Sequence, residues 1–170
     1  MTTTLGALNA ADEASFVAAL GFIFEDSPWV AAAAWAERPF ASIDALHAAM
    51  CAVVTAAPRE QQIALIVAHP DLVGRAALEG TLGQASQAEQ AIAGLDRLEP
   101  EEIAMFAELN GAYRDRFAFP FVICVRENKK TAILTGLRER VKNDRESEIA
   151  AAIVEIEKIA RLRLNDAVRA

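Results

Sequence analysis

The chain has 170 residues, and 17 Lys and Arg against 24 Asp and Glu give it a formal net charge of −7. Hydrophobic residues make up 54% of the chain and charged residues 24%, which is typical of a folded domain and excludes a disordered segment. A pI near 4.9 argues against a nucleic-acid or anionic-membrane partner, because such partners attract basic surfaces. We therefore predict a single compact domain over residues 1–170.

The sequence shows no targeting segment, metal-binding spacing or disulfide framework. Its start has no basic cluster or continuous apolar stretch, and its longest apolar run, 29–36, is far shorter than the roughly 20 residues that span a bilayer. Cys51 and Cys124 form no CxxC spacing, and His47 and His69 have no paired spacing that would complete a zinc site. We expect a cytoplasmic protein with two reduced thiols, no membrane segment and no metal.

Apolar residues recur at helical spacing along nearly the whole chain, which predicts an all-α fold of about eight helices. The stretch 71–85 holds three of the eight glycines and is predicted to be a loop with one helical turn. Only 119–125 resembles a strand, and since one strand has no partner, we predict an extended chain that crosses a helical core. Capping residues and prolines place the helices after Asp12 and at 29–37, 43–56, 58–68, 86–94, 100–117, 131–141 and 144–168.

The last helix places an arginine on its apolar side. With Ile149 at 0° and an advance of about 100° per residue, Ile156 and Leu164 fall within one apolar stripe. Arg163 falls inside that stripe at about −40°, whereas Arg161 falls at its edge at about 120°. A guanidinium that faces a core needs an internal carboxylate or a bound anion. Both interpretations stay open for Arg163, which the geometry favours over Arg161 as the functional residue.

Two further polar sites have both a structural and a functional interpretation. His69 ends an apolar helix, where it serves as a satisfied core histidine, as a partner of the helix C-terminal dipole, or as a general acid–base group. Ser86 and Glu89 match a capping box, in which the Glu89 carboxylate reaches back to the Ser86 amide. A helix N-terminus is also an anion site, however, and Gln90 adds donors and an acceptor to it.

The remaining polar features receive structural interpretations. His47 lies within a helix with nothing nearby to orient it, so we interpret it as structural or as a surface residue. Tyr113 is interpreted as a packing aromatic, and the charged residues of 138–148 as a solvated face.

Taken together, the motifs along the chain resemble one family. In order and over nearly the entire chain, they resemble the 2-oxo-4-hydroxy-4-carboxy-5-ureidoimidazoline (OHCU) decarboxylases of urate catabolism. This resemblance implies an all-α, cofactor-free decarboxylase that acts on a small molecule, yields (S)-allantoin and forms a homodimer. The motifs are Ser27-Pro28-Trp29, His69-Pro70-Asp71-Leu72, Ser86-x-x-Glu89-Gln90, Leu109-Asn110-x-x-Tyr113, Phe117-Ala118-Phe119-Pro120-Phe121-Val122-Ile123-Cys124 and Leu162-Arg163-Leu164.

The resemblance also implies roles for individual residues. His69 matches the catalytic histidine, Glu89 the acid that pairs with it, and Arg163 the arginine near the substrate. The substrate-binding positions match Pro70, Ser86, Gln90 and the backbone of Phe121, Val122, Ile123, Cys124 and Val125. Ala118 stands where the family's Phe-Gly-Phe-Pro-Phe run has glycine, so a positive φ at this position would carry a local cost.

Two alternatives to this function differ in class. One is a non-catalytic helical binding or interaction module, in which His69, Glu89 and Arg163 form a core network. The other is a related enzyme that acts on another ureido-imidazole acid.

Overall fold

The computed structural model describes residues 2–74, 80 and 83–170. Nine α-helices account for most of these residues, and the two strands among them have two residues each, so the predicted all-α class is confirmed. The elements are β1 (Thr3–Thr4), α1 (Leu5–Ala10), α2 (Glu13–Leu20), α3 (Pro28–Ala34), a 3-10 helix (Trp35–Glu37), α4 (Ile43–Ala56), α5 (Arg59–Ala68), α6 (Gln84–Ile92), α7 (Pro100–Phe117), a second 3-10 helix (Val125–Glu127), α8 (Lys130–Arg140), α9 (Arg145–Ala167) and β2 (Val168–Arg169).

Local capping signals account for several helix starts. Helix α4 begins after Ser42, whose Oγ accepts an amide N–H at 3.0 Å, and α2 begins after Asp12, whose carboxylate accepts one at 2.8 Å. Pro100 opens α7, where its missing N–H costs nothing. Helix α1 and the two strands were not predicted, because elements this short show no periodicity. Residues 75–79 and 81–82 of the predicted 71–85 loop lie outside the described residues.

The chain folds into two compact units, and the prediction of one domain stays a prediction. The first unit contains Met1–Ala68 and Glu157–Ala170. In it α3 packs against α2 and α4, and β1 pairs with β2 in parallel, with Thr3 opposite Val168. Its buried apolar side chains include Phe16, Leu20, Val30, Leu46, Met50, Ala160 and Leu164.

The second unit, His69–Ile156, has an aromatic core. Helix α7 packs against α8, and α6 packs against the 3-10 helix Val125–Glu127. The ring of Tyr113 lies 4.6 Å from that of Phe117 and 5.4 Å from that of Phe121, measured between centroids. Between α7 and the 3-10 helix, residues 119–124 form a chain without regular secondary structure whose aromatic side chains are buried. The predicted non-helical segment is therefore confirmed for 119–124, whereas Val125, its predicted last residue, begins the 3-10 helix.

Helix α7 ends in a left-handed residue. Ala118 has φ 62° and ψ 23°, and its amide donates to the carbonyl of Arg114 at 2.8 Å. This is the position at which glycine was expected, since glycine adopts positive φ without the steric cost that alanine bears. The turn directs the chain from α7 into the extended segment. None of the described helices is both long enough and apolar enough to cross a membrane.

Candidate active site

His69 lies directly after the last residue of α5, and Pro70 follows it. A residue before proline is forced out of the helical region, which explains why α5 ends here. His69 is only 6% exposed. Because His69 is buried, it is not an ordinary surface histidine. Its burial is compatible with both a core role and a catalytic role.

Two side chains of α7 fix the turn that follows Pro70. Arg114 Nε donates to both carboxylate oxygens of Asp71 at 2.9 Å. Asn110 Nδ2 donates to the carbonyl of Leu72 at 2.8 Å and is itself buried. The backbone beside His69 is therefore attached to a long helix.

Val73 attaches the same turn to α6. Its amide donates to Gln90 Oε1 at 3.2 Å, so the chain just after His69 lies against the helix that carries Glu89. Val73 has φ 54°, which a β-branched residue seldom adopts, and its side chain is buried. The turn holds a strained residue whose amide is satisfied by a predicted substrate-binding side chain.

Ser86, Glu89 and Gln90 lie inside α6, so the predicted capping box is wrong. The helix begins at Gln84, because Gly83 takes the extended conformation of an N-cap and leaves Ser86 within the first turn. Ser86 and Glu89 are three residues apart and therefore share one face of the helix. All three side chains are buried, and Glu89 is 8% exposed. The capping explanation no longer accounts for this polar cluster.

Two side chains bind the backbone of the extended segment. Arg140 Nη1 donates to the carbonyl of Val122 at 2.7 Å. The amide of Cys124 donates to Glu155 Oε2 at 2.8 Å, so one of the predicted substrate-binding amides already has an acceptor. Within the described part of the chain, the amides of 121–123 donate no hydrogen bond.

Arg163 is buried in the first unit, as its place in the apolar stripe of α9 predicted. It is 4% exposed, and its Nη2 donates to Glu25 Oε2 at 2.8 Å while Nη1 donates to the carbonyl of Phe22 at 3.2 Å. Arg161, by contrast, pairs with the exposed carboxylate of Asp44. The internal carboxylate that the structural interpretation required is therefore present. The convergence of Arg163 with His69 and Glu89 on one ligand stays a prediction.

A family model described as OHCU decarboxylase matches residues 9–165. The chain belongs to the OHCU decarboxylase family. The resemblance carried by the sequence motifs is thus confirmed over nearly the full length.

Proteins named as OHCU decarboxylases match nearly the whole length of this chain. It is 44% identical over 161 residues to the 2-oxo-4-hydroxy-4-carboxy-5-ureidoimidazoline decarboxylase of Haloferax volcanii, covering 95% of this chain and 94% of the relative. It is 42% identical over 163 residues to that of Halalkalicoccus jeotgali, covering 96% and 90%. The enzyme of that name from Mus musculus is 39% identical over 159 residues, covering 94% and 89%.

Two solved structures share the fold of this family member. A crystal structure of (S)-allantoin synthase superposes with a TM-score of 0.78 and 32% identity, covering 98% of this chain and 54% of that one. A crystal structure of OHCU decarboxylase in the presence of (S)-allantoin superposes with a TM-score of 0.70 and 20% identity, covering 92% and 97%. The second comparison, at this identity, supports the fold alone.

The interpretation of 138–148 as a solvated face is wrong for two residues of this OHCU decarboxylase family member. Glu148 is 0% exposed, and Arg140 Nε donates to its Oε2 at 3.0 Å. Helical spacing could have revealed Arg140, because it lies seven residues after Ile133 and three after Leu137, both of which are buried. These two charges tolerate removal from solvent because each has the other as a partner.

Tyr113 is also more than a packing aromatic. Its hydroxyl donates to Glu148 Oε2 inside the second unit. Burial, reinforced by that carboxylate, raises the pKa of Tyr113 well above its ordinary range. The phenol therefore stays protonated and remains a donor at any physiological pH.

Neither cysteine is a reactive thiolate, including Cys51, which lies next to His47. His47 Nε2 donates to the carbonyl of Glu157 at 2.8 Å, and Cys51 Sγ lies 3.3 Å from the same nitrogen. Burial, with a contribution from the charge of Glu157, raises the pKa of Cys51 to about 12, and burial raises that of Cys124 to about 11. Both are free thiols. Across the described ranges, no group of three His, Cys, Asp or Glu side chains is placed to hold a metal.

Proposed function

We propose that this chain decarboxylates OHCU to (S)-allantoin in urate degradation, as a cofactor-independent, cytoplasmic homodimer. His69 transfers protons, Glu89 orients it, and Arg163 holds the substrate. One observation carries the proposal: the polar residues of the family motifs on α6 are buried, and Gln90 ties them to the turn behind His69. A cluster of buried polar and ionisable side chains next to a motif histidine is typical of a functional site.

The substrate contains its own electron sink. The carbon that loses CO2 also carries a hydroxyl, and it is joined to a ring carbon in a C=N bond. When the C–C bond to the carboxylate breaks, its electron pair forms a bond to that ring carbon, and the C=N electrons move onto nitrogen, which takes a proton. The hydroxyl then becomes a carbonyl as its proton leaves, and the ring carbon gains a proton. In the net reaction, the carboxylate form of OHCU takes up one proton and gives allantoin and CO2.

His69 suits two of these proton transfers, the one from the hydroxyl and the one to the ring carbon. An imidazole titrates near neutral pH, so one ring can accept the hydroxyl proton and deliver a proton to the ring carbon. The Glu89 carboxylate would fix the tautomer of His69 and stabilise its cationic form. Delivery from one side of a held ring gives a single enantiomer of allantoin.

Arg163 and the extended segment would hold the substrate. The guanidinium suits a carbonyl or anionic group, and Glu25 moderates its charge. Moderation is useful, because tight binding of the departing carboxylate would stabilise the ground state and slow its loss. The amides of 121–123 would bind the ring and ureido oxygens, with Ser86 and Gln90 as further polar contacts and Pro70 as an apolar one. The amide of Cys124, by contrast, already donates to Glu155 Oε2.

The direct test generates the unstable substrate in situ and follows the chirality of allantoin by circular dichroism. We expect the chain to give (S)-allantoin faster than the spontaneous reaction. His69→Asn and Glu89→Gln should each lower kcat by about 100-fold or more, the range that general acid–base groups supply.

The other histidine of the chain is the matched control. His47→Asn removes a half-buried imidazole that lies outside the proposed site, and it should leave turnover unchanged. If the wild-type chain yields only racemic allantoin at the spontaneous rate, the proposal is wrong.

A further inference from the structure

We infer that Arg140 is a positioning residue that aims one amide of the extended segment, that of Ile123, at the substrate. The inference rests on the proposed function, since it takes the segment 121–125 as substrate-binding. Arg140 lies outside every motif that carries the family resemblance, and it is held entirely by residues of the second unit.

Arg140 contacts two consecutive residues of the segment. Its Nη1 donates to the carbonyl of Val122 at 2.7 Å. Its Cζ lies 4.6 Å from the ring centroid of Phe121, within the range of a cation–π contact. One guanidinium therefore fixes both a backbone carbonyl and the preceding side chain.

The position of the guanidinium is itself fixed by Glu148. Arg140 Nε donates to Glu148 Oε2 at 3.0 Å, and Nη2 lies 3.0 Å from the same oxygen. Asn143 Nδ2 donates to Oε1 at 2.7 Å, and the hydroxyl of Tyr113 donates to Oε2. A fully buried carboxylate requires such partners, and together they hold Glu148 and the Arg140 guanidinium in place.

Peptide geometry carries the effect of Arg140 to Ile123. The carbonyl of Val122 and the amide N–H of Ile123 belong to the same planar peptide, and in a trans peptide they point in opposite directions. Because Arg140 holds the carbonyl, the N–H of Ile123 points away from Arg140. Among the described residues that N–H donates no hydrogen bond, so it is a prepared donor. A donor fixed before the reaction stabilises developing charge without reorganisation.

The planar guanidinium is required, and a positive charge alone is insufficient. Its Nε bonds Glu148 while its Nη1 reaches Val122, and the planar group holds these two donors at a fixed angle. A lysine ammonium retains the charge, but it cannot bond both groups in one plane. The conservative variant Arg140→Lys therefore separates positioning from simple charge pairing.

The test compares Arg140→Lys with Arg138→Lys, a matched change on the exposed side of the same helix. In Arg140→Lys we expect a folded protein whose kcat/KM falls by about tenfold or more, whereas Arg138→Lys stays within about twofold of the wild type. We also expect allantoin to shift the amide nitrogen and proton resonances of Ile123 in the wild type, and to shift them much less in Arg140→Lys.

A folded Arg140→Lys protein that melts at a lower temperature but keeps its kcat/KM and its Ile123 response would overturn the inference. If that variant fails to fold, the wild-type titration decides, because an Ile123 amide unaffected by saturating allantoin contradicts the proposed role. Failure of the proposed function is distinguishable: the wild type would then show no turnover, whereas the Ile123 response would still report on the amide.

Discussion

At the scale of single residues, Ala118 bears a conformational cost that glycine would avoid. Its φ of 62° lies in the left-handed region, and its side chain is exposed, so no contact compensates for the strain. We predict that Ala118→Gly raises the free energy of unfolding by about 0.5–1 kcal/mol. Urea denaturation followed by far-UV circular dichroism measures the change.

Ala107 provides the matched control for Ala118. It is exposed in the middle of the same helix, where glycine costs about 0.5–1 kcal/mol. The two substitutions should therefore change stability in opposite directions. Equal destabilisation by both would show that the left-handed turn is absent in solution.

His47 makes stability depend on pH. Burial lowers its pKa below the ordinary value of 6.5, and the nearby charge of Arg161 lowers it further, although the bond to the carbonyl of Glu157 and the charge of Asp44 oppose the shift. As the pH falls below 6.5, the unfolded chain takes up a proton before the folded chain does. The contribution of His47 to stability is therefore complete above pH 6.5 and is lost below it.

The measurement for His47 is the free energy of unfolding at pH 7.5 and 5.5 for the wild type and for His47→Gln. The wild type should lose more stability over this interval than the variant. Burial raises the pKa of Glu157, but that carboxyl group is present in both proteins and largely cancels in the comparison. Identical losses in the two proteins would contradict the prediction.

The sequence predicts whether a charged residue is buried more readily than it predicts which residue is its partner. The helical position of Arg163 sufficed to place it in a core, because the 3.6-residue period fixes direction around a helix axis. Its partner Glu25 lies 138 positions away, and no local pattern connects the two. The same limit applies to Arg140, whose buried spacing was visible but whose partner Glu148 resembled an ordinary surface acid.

At the scale of elements, the two serine N-caps differ in a way that can be measured. Ser42 Oγ accepts the amide of Ala45 at 3.0 Å, whereas Ser27 makes no side-chain bond to its helix, α3. We predict that Ser42→Ala lowers the free energy of unfolding by about 1 kcal/mol, and that Ser27→Ala changes it by less than about 0.5 kcal/mol. Thermal and urea unfolding of the two variants test the difference.

The reverse order of these two effects would mean that the two serines exchange capping roles in solution. The pair is matched in position, since each serine precedes the first residue of a helix. Serine is a favoured N-cap residue at both positions, and only the geometry distinguishes them.

Helix α6 shows why a correct motif can carry a wrong local interpretation. Ser86 and Glu89 have the spacing of a capping box, and the same spacing also places two side chains on one face within a helix. The structure has the second arrangement, because Gly83, three residues before Ser86, is the N-cap of the helix. A glycine in a glycine-rich stretch gives no sequence signal for such a choice.

At the scale of the whole molecule, combined motifs identified the family where no single motif could. His69-Pro70, the Ser86 to Gln90 cluster and Arg163 each had an adequate structural explanation, and their order along the chain was the informative feature. Long-range pairing was beyond reach: the contact of Thr3 with Val168 joins residues near opposite ends of the chain, and two-residue strands have no period to detect.

The turn at Val73 links the thermal stability of the protein to its catalytic rate. A valine at φ 54° stores conformational energy that its neighbours must outweigh, and the bond to Gln90 is one of the contacts that do so. Selection for heat tolerance would favour glycine there where the relief of backbone strain exceeds the loss of the buried valine side chain. A glycine would keep the amide that bonds Gln90, but it would make the turn after His69 more flexible. A substitution of Val73 that is selected for a higher melting temperature should therefore lower the turnover of the decarboxylase.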